Sequence, residues 1–221
     1  MALIRVINPN SNQAVTDSMS AALNPLRMTD GPQIDCVTIA GAPFGIASDA
    51  DVAVATPMVR DLIAADSDAA AFVIACYSDP GLAEARAVTG KPVFGIGECA
   101  VLGALALGRR FGAISISDWS VTRHLERLRR LNLDGRCAGD RPLGSSVEEV
   151  EAAPDALDRI AAVGRALRDE DGADVLITAC AGMAKHRLPL ERALDIPVIE
   201  PVQAATTQAL GAARLSGSAG F

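Results

Sequence analysis

Short, nearly continuous apolar runs alternate along the chain with longer stretches in which apolar residues recur every three or four positions. The first pattern predicts strands buried on both faces, and the second predicts helices. Leu3 to Ile7 is the first expected strand. Ser11 or Asn12 caps a helix expected to run to Met28, with Pro25 weakening its end. Ile34 to Ile39 is a second strand. Ser48 caps a helix reaching Ala65, with Pro57 placed to split it. Ala71 to Ala75 is a third strand, ending at Cys76, and Pro80 stands where the next helix is expected to open. Lys91 to Gly95 forms a short fourth strand before a helix from Glu98 to Leu107.

The same order then repeats. Arg110 to Ser117 reads as a strand, and Asp118 to Leu131 as a helix with Trp119, Leu125 and Leu128 inward. Gly135 to Gly139 is a weak strand. Ser146 and Glu149 have capping-box spacing, opening a helical region to Asp169 divided by Pro154. Asp174 to Ala179 is a strand ending at Cys180. Ile196 to Glu200 is another, and Pro201 opens the last helix, followed by a frayed tail, Ser216–Phe221. The alternation predicts an α/β protein with parallel sheet. Cys76 and Cys180 stand 104 residues apart, and Pro92-Val93 and Pro197-Val198 stand 105 apart. This near-constant offset predicts two pseudo-symmetric four-stranded lobes, 1–98 with 203–221 and 99–202. A pseudo-two-fold axis would bring the two cysteine strand ends together across an inter-lobe cleft.

Composition narrows the partners. The net charge of −7 argues against nucleic acid or an anionic membrane surface. With 3% aromatic residues, base-stacking platforms are not expected. The start of the chain is interrupted by Arg5 and does not read as a signal peptide, and the longest apolar stretch, Cys99 to Gly108, is too short for a bilayer span. A cytoplasmic location is therefore expected, where the five cysteines stay reduced. None has metal-site spacing, and there are two histidines, so no metal or other cofactor is expected. Gly95-Ile96-Gly97 lacks the third glycine of a dinucleotide fingerprint.

The chemistry concentrates on Cys76 and Cys180. A thiol at a strand end facing a helix N-terminus has a lowered pKa, so one thiolate and one thiol can coexist near neutral pH. The thiolate can take a proton from one face of a carbon and the thiol can return one to the other face: a 1,1-proton transfer. Backbone N–H groups at helix starts offer an enolate-binding site. Asn8, Asn10, Ser11, Ser115 and Ser117, at matching strand ends, offer further donors. Cys36, Cys99 and Cys137 read as small buried hydrophobes. His124 reads as a surface or packed helix residue, and His186, six after Cys180, as a candidate to tune that thiol.

Four segments carry a resemblance: Ile7 to Asn12, Cys76-Tyr77-Ser78-Asp79-Pro80-Gly81-Leu82, Pro92 to Glu98, and Cys180-Ala181-Gly182-Met183. Together they resemble the hydantoin racemase family of the aspartate/glutamate racemase superfamily, whose close members include allantoin racemases. The resemblance spans nearly the whole chain. It implies flavodoxin-like lobes, a cofactor-independent two-base mechanism, a cyclic ureide substrate and homo-oligomers. It implies Cys76 and Cys180 as the catalytic pair and Asn10 in the substrate loop; Tyr77, Ser78, Ala181 and Gly182, beside the thiols, are expected to bind substrate. Ser117 lies where relatives often carry threonine. Other readings are an amino-acid racemase, a maleate isomerase or arylmalonate decarboxylase relative, and a non-catalytic two-lobed binding protein. The decarboxylases resemble the family but keep one of the two cysteines.

Overall fold

A computed structural model describes residues 2–146, 149–150 and 153–216. The chain divides into two compact units, Met1–Cys99 with Val202–Phe221, and Ala100–Pro201. In the first unit, β1 (Leu3–Asn8), β2 (Gln33–Thr38), β3 (Ala71–Ile74) and β4 (Val93–Gly95) form a parallel sheet ordered β2-β1-β3-β4. In the second, β5 (Phe111–Ser115), β6 (Cys137–Pro142), β7 (Val175–Thr178) and β8 (Val198–Ile199) form a parallel sheet ordered β6-β5-β7-β8. The two orders are the same. In each, the central strands β3 and β7 are buried at every position, as expected of parallel strands covered on both faces.

The first three helices are α1 (Gln13–Ala22), α2 (Asp49–Ala65) and α3 (Leu82–Val88). Then come α4 (Ile96–Leu107), α5 (Asp118–Arg130), α6 (Ala156–Asp169), α7 (Arg187–Leu194) and α8 (Pro201–Ser216). Ile7, Val59, Ile63, Phe72, Ile74 and Val93 pack as one core. Ile114, Ile160, Leu167, Leu176, Leu190 and Leu194 pack as another.

Several expected boundaries move, each for a local reason. α1 ends at Ala22 rather than Met28. Asn24 precedes Pro25, which disfavours helical backbone there, and Asn24–Leu26 forms a 3-10 turn instead. Pro57 does not split α2. Pro57 and Ala53, whose carbonyl loses its helical donor, both face solvent, so water can satisfy that carbonyl. Ala55, Val59 and Ile63 stay on the buried face. The weak strand is β6, running to Pro142 rather than Gly139. It is an edge strand, half-buried throughout, with an irregular register between Phe111 and Gly112. On α5, the fully inward positions are His124 and Leu128, while Trp119 and Leu125 are half-buried. Ser146 and Glu149 form the expected capping box: Glu149 N donates to Ser146 Oγ (3.2 Å), and Ser146 N donates to Glu149 Oε2 (2.9 Å). Ser216 closes α8, and the rest of the expected tail lies outside the described residues.

Carboxylates tie the sheet margins to neighbouring backbone. Burial pushes the Asp66 carboxyl up, but a hydrogen bond from Arg5 Nε (2.8 Å) and the N–H groups of Ala69 and Asp68 hold it below the ordinary carboxylate range. Arg141 does the same for Asp171, with Nε–Oδ2 at 2.7 Å. A carboxyl depressed in the native state stabilises the fold fully above its unfolded value of about 3.9. That contribution is lost as pH falls through the lower native value. Urea midpoints should therefore be flat from pH 7 to 5 and fall below about pH 4. The Asp66→Asn/Asp171→Asn double variant should be less stable at pH 6 and show a shallower acid fall. An unchanged acid slope would show that these two carboxyls do not carry it.

Candidate functional site

The two cysteines occupy equivalent places in their own units. Ala75 N donates to Ile7 O (2.8 Å), extending the β1–β3 pairing one residue past β3, and Cys76 follows. Ala179 N donates to Ile114 O (2.9 Å), and Cys180 follows in the same way after β7. A tight turn succeeds each: Asp79 N donates to Cys76 O (2.9 Å) and Met183 N to Cys180 O (3.1 Å). Both cysteines are half-buried, so the thiols sit at the C-terminal edges of their sheets without being lost in the cores. Ligands of open parallel sheets bind at this edge.

The turns differ in what anchors them. Asp79 has a left-handed backbone (φ 48°). Its carboxylate accepts from Gly97 N (2.9 Å) and Glu98 N (2.8 Å), capping α4. A Cβ on Gly95 would stand 2.4 Å from the Asp79 carboxyl carbon, so Gly95 is required for this approach. Gly81 (φ 74°) brings the same loop against the Thr56 carbonyl, where a Cβ would meet the oxygen at 2.9 Å. The helix therefore opens at Leu82, two residues after Pro80. The first N–H groups of α4 are thus occupied by Asp79. In the second unit a 3-10 turn, Ala181–His186, follows Cys180, and Met183 is buried in the core.

Of the other expected site residues in the first unit, Asn10 is the most tightly held. Its Oδ1 accepts from Asn8 Nδ2 (2.9 Å) and Asn12 N (2.9 Å), and its own N donates to Asn8 Oδ1 (3.2 Å). The backbone N–H of Asn12 fixes which side-chain atom is the oxygen. The Asn10 Nδ2 group then makes no hydrogen bond to a described residue and remains a donor at the sheet edge. Asn12, not Ser11, caps α1. Ser11 N instead donates to Pro43 O (3.0 Å), joining this loop to the one after β2. Tyr77 is buried and Ser78 half-buried beside Cys76.

In the second unit Ala181 and Gly182 are buried directly after Cys180. Ser117 is the N-cap of α5, its Oγ accepting from Ser120 N (3.4 Å). Ser115 is completely buried and its hydroxyl donates to Asp140 Oδ1 (2.5 Å). It is committed to the protein rather than offered as a donor at the edge. His124 is buried against this pair, and His186 is buried at the end of the 3-10 turn.

Of the remaining cysteines Cys99 is buried as expected, whereas Cys36 and Cys137 are half-buried on the edge strands β2 and β6. Burial, followed by Asp140, pushes the Cys137 thiol up to about 12. Burial likewise raises the Cys36 thiol. Cys99 is buried with Sγ 3.5 Å from Gln208 Oε1. Among the described residues no group of three or more His, Cys, Asp or Glu side chains is disposed to hold a metal ion. No helix among them is long and apolar enough to cross a membrane.

Asp79, Asp140 and Thr16, whose Oγ1 accepts from Asn8 Nδ2 (3.0 Å), were not expected at the site. Asp79 reads locally as a turn residue, and its partners lie beyond the next strand. The signal for His124 was its spacing: Val121, His124 and Leu128 recur at helical intervals on one face.

Fold and site together define a duplicated α/β protein, each repeat ordered in the same way and carrying one half-buried thiol just past its central strand. Residues 4–209 match the Asp/Glu/hydantoin racemase family, and the chain belongs to it. A hydantoin racemase of Pseudomonas sp. (strain NS671) is 34% identical over 204 residues, 91% of this chain and 82% of the relative. One from Paenarthrobacter aurescens is 33% identical, covering 91% and 87%. Among solved structures, an allantoin racemase from Klebsiella pneumoniae superposes with a TM-score of 0.91 at 28% identity, covering 98% of this chain and 89% of that one.

The Asp79 anchor generates a stability prediction. Gly95→Ala should lower the unfolding free energy by about 1–3 kcal/mol by overpacking, and Asp79→Ala by about 1 kcal/mol through the lost cap. Both act on one contact, so the double variant should lose less than the sum. Urea unfolding of the four proteins checks this, and strict additivity would separate Gly95 from the cap.

Proposed function

We propose that this racemase inverts the stereocentre of a 5-substituted hydantoin or a related cyclic ureide such as allantoin, without a cofactor. Cys76 and Cys180 act as the two bases, one for each face of the same carbon. The observation that carries the reading is the matched placement of the two thiols, down to the Ala75–Ile7 and Ala179–Ile114 hydrogen bonds that hold them. Membership of the racemase family and the hydantoin and allantoin racemases among the relatives support the substrate class.

The substrate chemistry suits modest bases. The carbon between a ring carbonyl and a ring nitrogen loses its proton to give an enolate, with negative charge on the carbonyl oxygen. A thiolate on one face removes the proton, the C–H electron pair passes into the enolate, and the thiol on the other face returns a proton to carbon. The first cysteine ends as the thiol and the second as the thiolate, so the two exchange roles with each inversion. Asn10 Nδ2 is a fixed donor able to bind a ring carbonyl in both states. Ser78 and Ser117 supply hydroxyls, and Tyr77, Ala181 and Gly182 shape the surroundings of the thiols.

Loss of optical rotation across L-hydantoins, allantoin and free amino acids tests the substrate class, and turnover confined to free amino acids would overturn it. Activity should persist after exhaustive EDTA treatment; recovery only on adding a metal would count against the mechanism. Cys76→Ser and Cys180→Ser should each abolish racemisation, because a hydroxyl is far too weak a base. Each should still exchange the α-proton of one enantiomer with deuterated solvent, and the two variants should choose opposite enantiomers. Chiral chromatography against an enzyme-free control reads both. Full racemisation by either single variant would show that one thiol suffices.

A further inference from the structure

The end of β5 is held by a buried polar cluster. Ser115 is completely buried, and the side chains of His124 and Asp140 are 6% and 1% exposed. They come from β5, α5 and β6. The Ser115 hydroxyl gives its proton to Asp140 Oδ1 at 2.5 Å. His124 Nδ1 lies 3.0 Å from Asp140 Oδ2 and 3.1 Å from Ser115 Oγ. Ser115 has spent its proton on Asp140, so both contacts at Nδ1 are with acceptors. That places a proton on Nδ1, which donates to the carboxylate and the serine oxygen together.

The cluster is not a nucleophilic triad. In such a triad the serine and the carboxylate address opposite nitrogens of the imidazole, so that one nitrogen can take the serine proton. Here both address Nδ1, and the serine proton points at the carboxylate. The geometry holds a strand end rather than activating a hydroxyl.

What it holds is the edge that carries Ser117. The Ser115 carbonyl accepts from Leu143 N (2.8 Å), and the Ile116 carbonyl accepts from Ser145 N (3.1 Å). Ser117 then caps α5, the helix that carries His124. The first unit has a clasp of the same plan. Asn8 Nδ2, at the end of β1, donates to Thr16 Oγ1 on α1 (3.0 Å). Thr16 Oγ1 is 2.6 Å from Thr38 Oγ1 on β2, and Thr38 donates to Gln13 Oε1 (2.7 Å). In both units a polar side chain on the helix after the first strand bridges that strand's end to the edge strand beside it. In the first unit the clasp carries the Asn10 loop.

We infer that His124 is a positioning residue for the racemase reaction: through Asp140 and Ser115 it fixes the 115–117 edge that presents Ser117 to the substrate. The inference rests on the proposed function in assigning Ser117 a substrate contact. His124 itself touches no reacting atom.

Three substitutions probe the Nδ1 donor. In His124→Asn the amide nitrogen takes the place of Nδ1; in His124→Gln it lies one bond farther out; His124→Phe has no donor. The substrate is whichever hydantoin the wild-type protein racemises. Loss of one buried hydrogen bond should raise KM about tenfold in Phe and Gln, with a smaller change in kcat, and Asn should return KM to near the wild-type value. Damage to folding alone would lower the active fraction, hence apparent kcat, and leave KM unmoved. If the Phe variant does not fold, Ser115→Ala removes a single hydroxyl and should give the same rise in KM.

Amide hydrogen exchange over residues 115–118 gives a readout that needs no substrate. It should quicken in Phe and Gln and match wild type in Asn. Unchanged KM and exchange in Phe, or equal behaviour of Asn and Gln, would overturn the role given to His124. A wild-type protein that racemises no hydantoin or allantoin would instead overturn the proposed function, and exchange would still decide whether the clasp exists.

Discussion

One main-chain hydrogen bond in each unit does most to make the site: Ala75 N to Ile7 O, and Ala179 N to Ile114 O. Each carries the central strand pairing one residue beyond the regular strand, so the next residue leaves the sheet at a fixed height and direction. That residue is a cysteine both times. A thiol within the strand would be more deeply buried, and even the partial burial of Cys36 and Cys137 on the edge strands β2 and β6 raises their pKa values. A thiol several positions later would ride on a helix. At these two strand ends the central pairing reaches the preceding residue and the cysteine that follows is half-buried.

This placement leaves the loops after the strands to be fixed by side chains, because their backbone has no ladder to join. Asp79 joins the Cys76 turn to α4, and Asn8, Asn10 and Asn12 knit the first loop to itself. Ser115, His124 and Asp140 hold the corresponding place in the second unit. Polar groups this deeply buried are tolerable only when their hydrogen bonds are made. Their hydrogen bonds are made here, and they tie the loops down where no strand ladder reaches. The same bonds consume donors that a simple reading of strand ends would hand to the substrate. Ser115 and the first N–H groups of α4 are used by the protein itself, whereas the Asn10 Nδ2 group makes no hydrogen bond to a described residue.

The sheet and the thiols were legible in the sequence because their signals are local. Ala71 to Cys76 and Asp174 to Cys180 are apolar runs stopped by a cysteine, and buried parallel strands look like that wherever they occur. The repeat was legible because the Pro-Val pairs and the cysteines keep one offset. Signals were lost where the deciding partner is distant. Pro57 was read as a break because the exposure of Ala53 and Pro57 cannot be seen from the chain. β6 was read short because an edge strand half-buried throughout has no clean alternation. Asp79 looked like an ordinary turn residue, since Gly95 and the start of α4 show what it does only once folded beside it.

His124 shows the limit most clearly. A histidine on an arginine-rich helix is, by composition, a solvated residue, and its neighbours Arg123, Arg127, Arg129 and Arg130 strengthen that impression. Yet the helical period places it with Leu128 on the buried face, where an apolar residue would ordinarily stand. A polar side chain held at a core position against that preference must be repaid by hydrogen bonds, and Ser115 and Asp140 are the groups that make them. In the first unit Thr16 meets the same demand with a hydroxyl. Two different side chains thus solve one geometric problem in the two repeats: binding the end of the first strand to the edge strand through the helix between them. The likeness lies in the bonds made rather than in the residues that make them. For that reason the clasp is visible in the folded repeats and absent from the pattern of letters.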